Sequence, residues 1–141
     1  MGIKSLSLLV GLLLPVASVF CQAEQLIGTW LTDDQKTAIE FYKSGSTYSG
    51  RIVWMAEPND NKGLPFVDRK NPDESKRNRK ILGLTIITGL SYKKGEFTSG
   101  TVYAPKRGQY AKCSIKIVSN TKLNITVSSG IFSDTKTWTR K

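Results

Sequence analysis

Residues 110–118 read YAKCSIKIV, with Ala111, Cys113, Ile115 and Ile117 on one side of an extended chain and Lys112, Ser114 and Lys116 on the other. Successive side chains leave a strand on opposite faces, so apolar residues at a period of two mark a strand with one face buried. After a turn at Asn120 the pattern resumes with Leu123, Ile125 and Val127. These two runs predict an antiparallel hairpin whose apolar side, including Cys113, faces a core.

Outward from this hairpin the same alternation predicts strands over 26–31, 37–42, 48–55, 84–90, 97–104 and 135–140. Turn-forming residues separate them: Asp33-Asp34, Ser44-Gly45-Ser46, Lys93-Lys94-Gly95 and Pro105 to Gly108. About eight short strands joined by tight turns imply an all-β antiparallel fold. An up-and-down barrel disposes of the sheet edges by closing on itself; a sandwich is the alternative. The aromatic residues Phe41, Tyr48, Trp54, Phe97, Tyr103 and Trp138 all fall on strands, so several must point into whatever the barrel encloses. A barrel of about eight strands has room for side chains alone or for one small ligand, and both readings stay open here. Arg51 has the opposite parity to Trp54 and faces outward if Trp54 faces in; Glu40, in the run IEFY, is read as facing solvent.

One connection breaks the hairpin rhythm. Between Met55 and Ile81 lies a polar, charge-rich stretch, and loops longer than about 12–15 residues inside a compact domain are usually functional or disordered. Within it, Asn71-Pro72-Asp73-Glu74 reads as a helix start: Asn71 as the N-cap, a proline in the first turn and acids at the positive end of the dipole, with Lys76, Arg77, Arg79 and Lys80 following. One short helix is predicted there, covering or flanking a barrel mouth.

Residues 1–23 carry Lys4, an apolar stretch from Leu6 to Phe20 and small residues at Cys21 and Ala23. This is the pattern of a secretory signal peptide cut after Ala23. The competing reading, a membrane anchor, suffers from Pro15 and from a length below the roughly 20 apolar residues that span a bilayer. Lipid attachment at Cys21 is disfavoured by the bulk of Phe20. Residues 24–141 then form one domain, expected in the periplasm or outside the cell, with no transmembrane segment in the mature chain. Without Cys21, Cys113 has no partner for an intramolecular disulfide.

Composition narrows the chemistry. The chain has no histidine, so Ser-His-Asp and Cys-His triads and histidine zinc sites are excluded. No P-loop or dinucleotide fingerprint occurs, and no metal or other cofactor is expected. Carboxylate acid–base chemistry survives exclusion through Glu57, Asp60, Asp68, Asp73 and Glu74, but salt bridges to Arg69, Lys70 and Arg77 are the commoner role for such residues. The formal net charge of +10 invites a nucleic-acid reading, against which the basic residues are dispersed and no aromatic-interleaved stripe is evident. Lys76 to Lys80 is the one cluster, and outside the cytoplasm an anionic envelope lipid or polysaccharide suits it better than nucleic acid.

Gly28-Thr29-Trp30 near the start and Arg140 at the end resemble the signature of lipocalins and fatty-acid-binding proteins, in which the arginine packs across the tryptophan and closes the barrel base. A wider resemblance runs through GTWLTDD, GRIVWMAEP, DRKNPD, ILGLTI and TKTWTR, which follow in order the pattern of the bacterial exported family called domain of unknown function 2147. That resemblance implies a lipocalin-like barrel and no established activity. Members of the family often carry a cysteine pair where this chain has Ser44 and Ser49, and a Gly-Arg pair where it has Ser133-Asp134. These departures imply loss of one disulfide and of any ligand role that the arginine carries in the family.

The reading is an exported lipocalin-like barrel that binds a small apolar or amphipathic molecule. Trp54, Tyr103 and Trp138 are the candidate walls, Asp68, Asn71, Arg77 and Arg79 the candidate polar groups at the mouth, and Gly28, Trp30 and Arg140 the closure. The first alternative is an interaction protein docking through the basic loop onto an anionic envelope component or partner protein; a carboxylate enzyme comes third.

Overall fold

The alternating runs form eight antiparallel strands, each paired with its neighbours in sequence: β1 Gly28–Leu31, β2 Thr37–Ser44, β3 Thr47–Met55, β4 Thr85–Lys93, β5 Glu96–Ala104, β6 Gln109–Ser119, β7 Lys122–Ser129 and β8 Phe132–Arg140. In this computed structural model β8 returns to pair with β1, so the sheet is a closed up-and-down barrel and not a sandwich. Residues 22–141 are described, together with Gly2, Val10 and Gly11, so the signal-peptide reading of residues 1–23 falls outside the described residues except at Gly2, Val10, Gly11, Gln22 and Ala23.

Closure rests on a narrow seam. β1 has four residues and pairs with β8 at only two positions, Trp30 with Arg140 and Leu31 with Thr139. Side-chain chemistry reinforces it: the Arg140 guanidinium lies over the fully buried Trp30 indole, 4.2 Å from the ring centroid. Its Nε donates to the Asn120 carbonyl at 2.7 Å and its Nη1 to the Ile27 carbonyl at 3.1 Å, while Nη2 reaches the Gln25 carbonyl. One arginine thereby ties the β6–β7 turn, β8 and the segment entering β1. Trp30 adds its own bond from Nε1 to the Leu26 carbonyl, 2.9 Å. Gly28 must lack a side chain here, because its φ is +123° and a Cβ would lie 2.8 Å from Arg140 Nη1.

The barrel is filled at this closed end. Phe41, Tyr48, Leu90, Phe97, Ile115 and Leu123 are buried around Trp30, with Tyr48 and Phe97 edge to face at 5.3 Å. Leu26 and Ala23 complete the plug. Cys113 faces the same core, and burial pushes its thiol up to about 12 from the ordinary 9.0.

Two local features depart from the sequence-based expectation. On β3 the register jumps: Ala38 pairs with Trp54 but Ile39 pairs with Ile52, leaving Val53 as the extra residue of a β-bulge. The bulge turns Trp54 outward, 39% exposed, where Lys141 Nζ sits 4.2 Å from its ring centroid. The expectation that Trp54 lines the interior is therefore corrected, while Arg51 and Glu40 do face outward and pair with each other. In the long connection, the predicted helix is a single 3₁₀ turn, Glu74–Lys76, capped by Asp73 and not by Asn71.

Arg140→Met is expected to lower the unfolding free energy by about 2–4 kcal/mol, the sum of a stacked cation and its charged hydrogen bonds. Lys116→Met, at an exposed lysine of β6, should stay within about 0.5 kcal/mol. Urea unfolding of both variants checks this. A second outcome concerns Cys113: in a Cys21→Ser background, reaction with a disulfide reagent should be slow in the folded protein at pH 8 and fast in denaturant, because the attacking species is the thiolate.

Candidate functional site

In an up-and-down barrel alternate connections emerge at the same end. The turns β2–β3, β4–β5 and β6–β7 share the closed end with Arg140, so the connections 32–36, 56–84, 105–108 and 130–131 gather at the other. There the filled core gives way to a cavity of about 530 Å³. Trp138, Ile39, Ile52 and Ile125 face it from the core side, and Trp138 rests against Phe41 with ring centroids 6.3 Å apart. Met55, Val102 and Val127 contribute from the upper strands, with Phe66 and Ile81 from the long connection. Thr32, Lys36, Glu57, Lys106 and Arg107 stand at the rim. The aromatic residues thus fill one half of the barrel and leave the other half open, and the size lies within the roughly 300–1,000 Å³ usual for small-molecule sites.

The long connection is an ordered arm. It folds back on itself through bridges between Asn59 and Pro65 and between Val67 and Lys80. Asp60 accepts from the Lys62 and Leu64 amides at the tip of its first turn. Its anchor is Asp68, whose side chain is wholly buried. A buried carboxylate is costly unless hydrogen-bonded and paired. Here Oδ1 accepts from the Tyr103 hydroxyl at 2.6 Å, Oδ2 from Asn71 Nδ2 at 2.8 Å, and Arg79 Nη2 stands 3.6 Å away. Tyr103 borders the cavity but turns its hydroxyl to the arm, with its ring against Tyr110 at 4.7 Å. Burial, and then the bond to Asp68, push its phenol up to about 12 from 10.0. A second clasp is steric. Gly108, in the β5–β6 turn at φ +64°, lies so close to Lys70 that a Cβ would overlap its carbonyl.

The sequence-derived site residues therefore separate. Trp138 lines the cavity, Tyr103 borders it, and Trp54 is outside. Asp68, Asn71, Arg77 and Arg79, read as polar groups for a ligand at the mouth, build the structure of the arm and do not line the cavity. Arg77 Nε donates to the Asn71 carbonyl at 2.8 Å, with Glu74 also beside it. Sequence reasoning missed Lys36, Lys106 and Arg107. The signal was available, since the connections carrying them must share an end with the long loop in any up-and-down barrel.

A family model described as "Uncharacterized protein conserved in bacteria (DUF2147)" matches residues 28–140, and the chain belongs to that family. No curated protein matches the chain. Among solved structures it is similar to one described as "Protein HP1028 from the human pathogen Helicobacter pylori belongs to the lipocalin family", at 23% identity over 82% of each chain with a TM-score of 0.71. At that identity the likeness is one of fold: a lipocalin-like barrel.

Tyr103→Phe removes one partner of the buried Asp68 carboxylate and should cost about 1–3 kcal/mol. Faster amide hydrogen exchange across residues 66–81, with the strands still protected, would locate the loss in the arm. The same clasp has an alkaline limit. Because the folded state raises the phenol's pKa, its contribution is complete below about pH 10 and is lost as pH rises through about 12.

Proposed function

We propose that this DUF2147 barrel is an exported binding protein that holds a small, partly apolar molecule non-covalently in the cavity at its open end. The observation that carries the reading is the cavity of about 530 Å³, walled by Ile39, Ile52, Val102, Ile125, Val127 and Trp138. Moving apolar surface from water into such a space is favourable by roughly 25 cal/mol per Å², and a preformed cavity loses little ordering entropy on binding. The lipocalin-like fold supports small-ligand binding in general. Export is supported by the charge and apolar pattern of residues 1–23. No described helix is long and apolar enough to cross a membrane.

The rival reading, docking through the basic loop, draws less support from the side chains. Arg77 and Arg79 are engaged by Asn71, Glu74 and Asp68 within the arm, and Lys76 stands 3.9 Å from Asp73.

A hydrophobic dye such as N-phenyl-1-naphthylamine should bind the delipidated protein saturably at one site. Val102→Trp, which fills the cavity, should abolish that binding while the barrel still melts cooperatively. Dye binding that is non-saturable, or unchanged in Val102→Trp, would refute the site.

A further inference from the structure

Resting on that reading, we infer that the cavity takes an amphiphilic organic anion, inserted chain first, with its head held at the rim by Lys36, Lys106 and Arg107. Polarity runs one way through the site. Among the described residues no charged side chain lines the cavity below the rim, where Ile39, Ile52, Ile125 and Trp138 face it, so an ionised head placed there would lose its hydration without a charge partner. The chain end must go down and the head must stay up.

The sign of the head follows from the rim. Lys36, Lys106 and Arg107 line the mouth against one acid, Glu57. Among the described residues none of the three cations has a carboxylate within 4.0 Å, whereas Arg51, Lys76, Arg77, Arg79 and Lys136 all do. The nearby acid Asp34 is already occupied: its Oδ1 accepts from the Thr32 hydroxyl at 2.7 Å and from the Lys36 amide at 3.0 Å. Those bonds, with Lys36 and Lys106 helping, hold its carboxyl below the usual range, so it stays ionised, and it is not among the residues that line the cavity.

Geometry brings the cations to one ligand. Lys36 comes from the β1–β2 connection and Lys106 and Arg107 from the β5–β6 connection, which lie opposite each other in a ring of eight. All three nevertheless line a single cavity, and Asp34 feels both lysines. One head group can therefore be approached from both sides of the mouth, with Arg107 offering the paired donors that suit a planar carboxylate.

The test compares ligands that differ in the head alone: dodecanoate, dodecanol and dodecyltrimethylammonium, each below its micelle concentration, by displacement of the naphthylamine dye. Dodecanoate should bind on the order of tenfold more tightly than dodecanol, and the cationic amphiphile more weakly than either. Lys106→Met with Arg107→Met should remove the advantage of dodecanoate and leave dodecanol unchanged. On the unaltered protein, raising salt should weaken dodecanoate and not dodecanol, an independent readout if the double variant folds poorly. Dodecyl sulfate and dodecyl phosphate, run alongside, distinguish a carboxylate from the other anionic heads. If dodecanol binds as tightly as dodecanoate, the head-group inference falls while the apolar site stands. If none of the amphiphiles displaces the dye, both fall.

Discussion

Arg140 over Trp30 is the contact on which the rest of the barrel depends. Strands gain stability from pairing on both edges, and an eight-stranded sheet that failed to close would expose two edges to solvent and to other chains. Here the closing strand β1 is the shortest of the eight and contributes only two ladder pairs to β8. So short a ladder is weak by itself. The guanidinium compensates by stacking on the indole and by bonding carbonyls before β1 and in the β6–β7 turn, which converts a marginal seam into a fixed corner. Gly28 belongs to the same corner, since any larger residue would displace the arginine.

Because the corner seals one end, the two ends of the barrel can differ. The closed end has tight turns and a core of rings and aliphatic groups packed around Trp30, and most of the apolar burial that stabilises the fold lies there. The open end is relieved of that task. Its strands carry smaller aliphatic residues facing the cavity, and the long connection reaches across to the β5–β6 turn. A cavity weakens a protein by withholding contacts from the atoms around it, so placing it away from the closure limits the cost to the half that can bear it.

The strand pattern was legible because alternation is a strong signal wherever one face is buried, and in YAKCSIKIV it identified Cys113 and Ile115 as core residues without ambiguity. Trp30 and Arg140 were legible through resemblance, and register confirms them as direct partners. Trp54 was misplaced because a β-bulge inserts one residue and reverses parity beyond it, and nothing in GRIVWM marks Val53 as the inserted one. The long connection was rightly picked out as distinctive, but its charges were assigned to ligand contact when they build the arm. A buried Asp held by Tyr103 and Asn71 depends on pairings across the chain that spacing does not reveal. Lys36, Lys106 and Arg107 were passed over as turn residues, although the end at which each turn emerges follows from strand order alone.

The arm's construction bears on how a ligand reaches the cavity. A lid that closes by apolar contact alone can slide, since such contacts have little directional preference. Asp68, within the arm, instead has its oxygens committed to Tyr103 of β5 and to Asn71, and opening would expose or unpair a carboxylate that is wholly buried. Gly108 against Lys70 adds a steric clasp from the neighbouring turn. Held at both places, the arm forms part of the wall rather than a gate. Phe66 and Ile81 are thereby set in position before any ligand arrives, and the rim cations are left to act on an approaching molecule through a mouth that already exists.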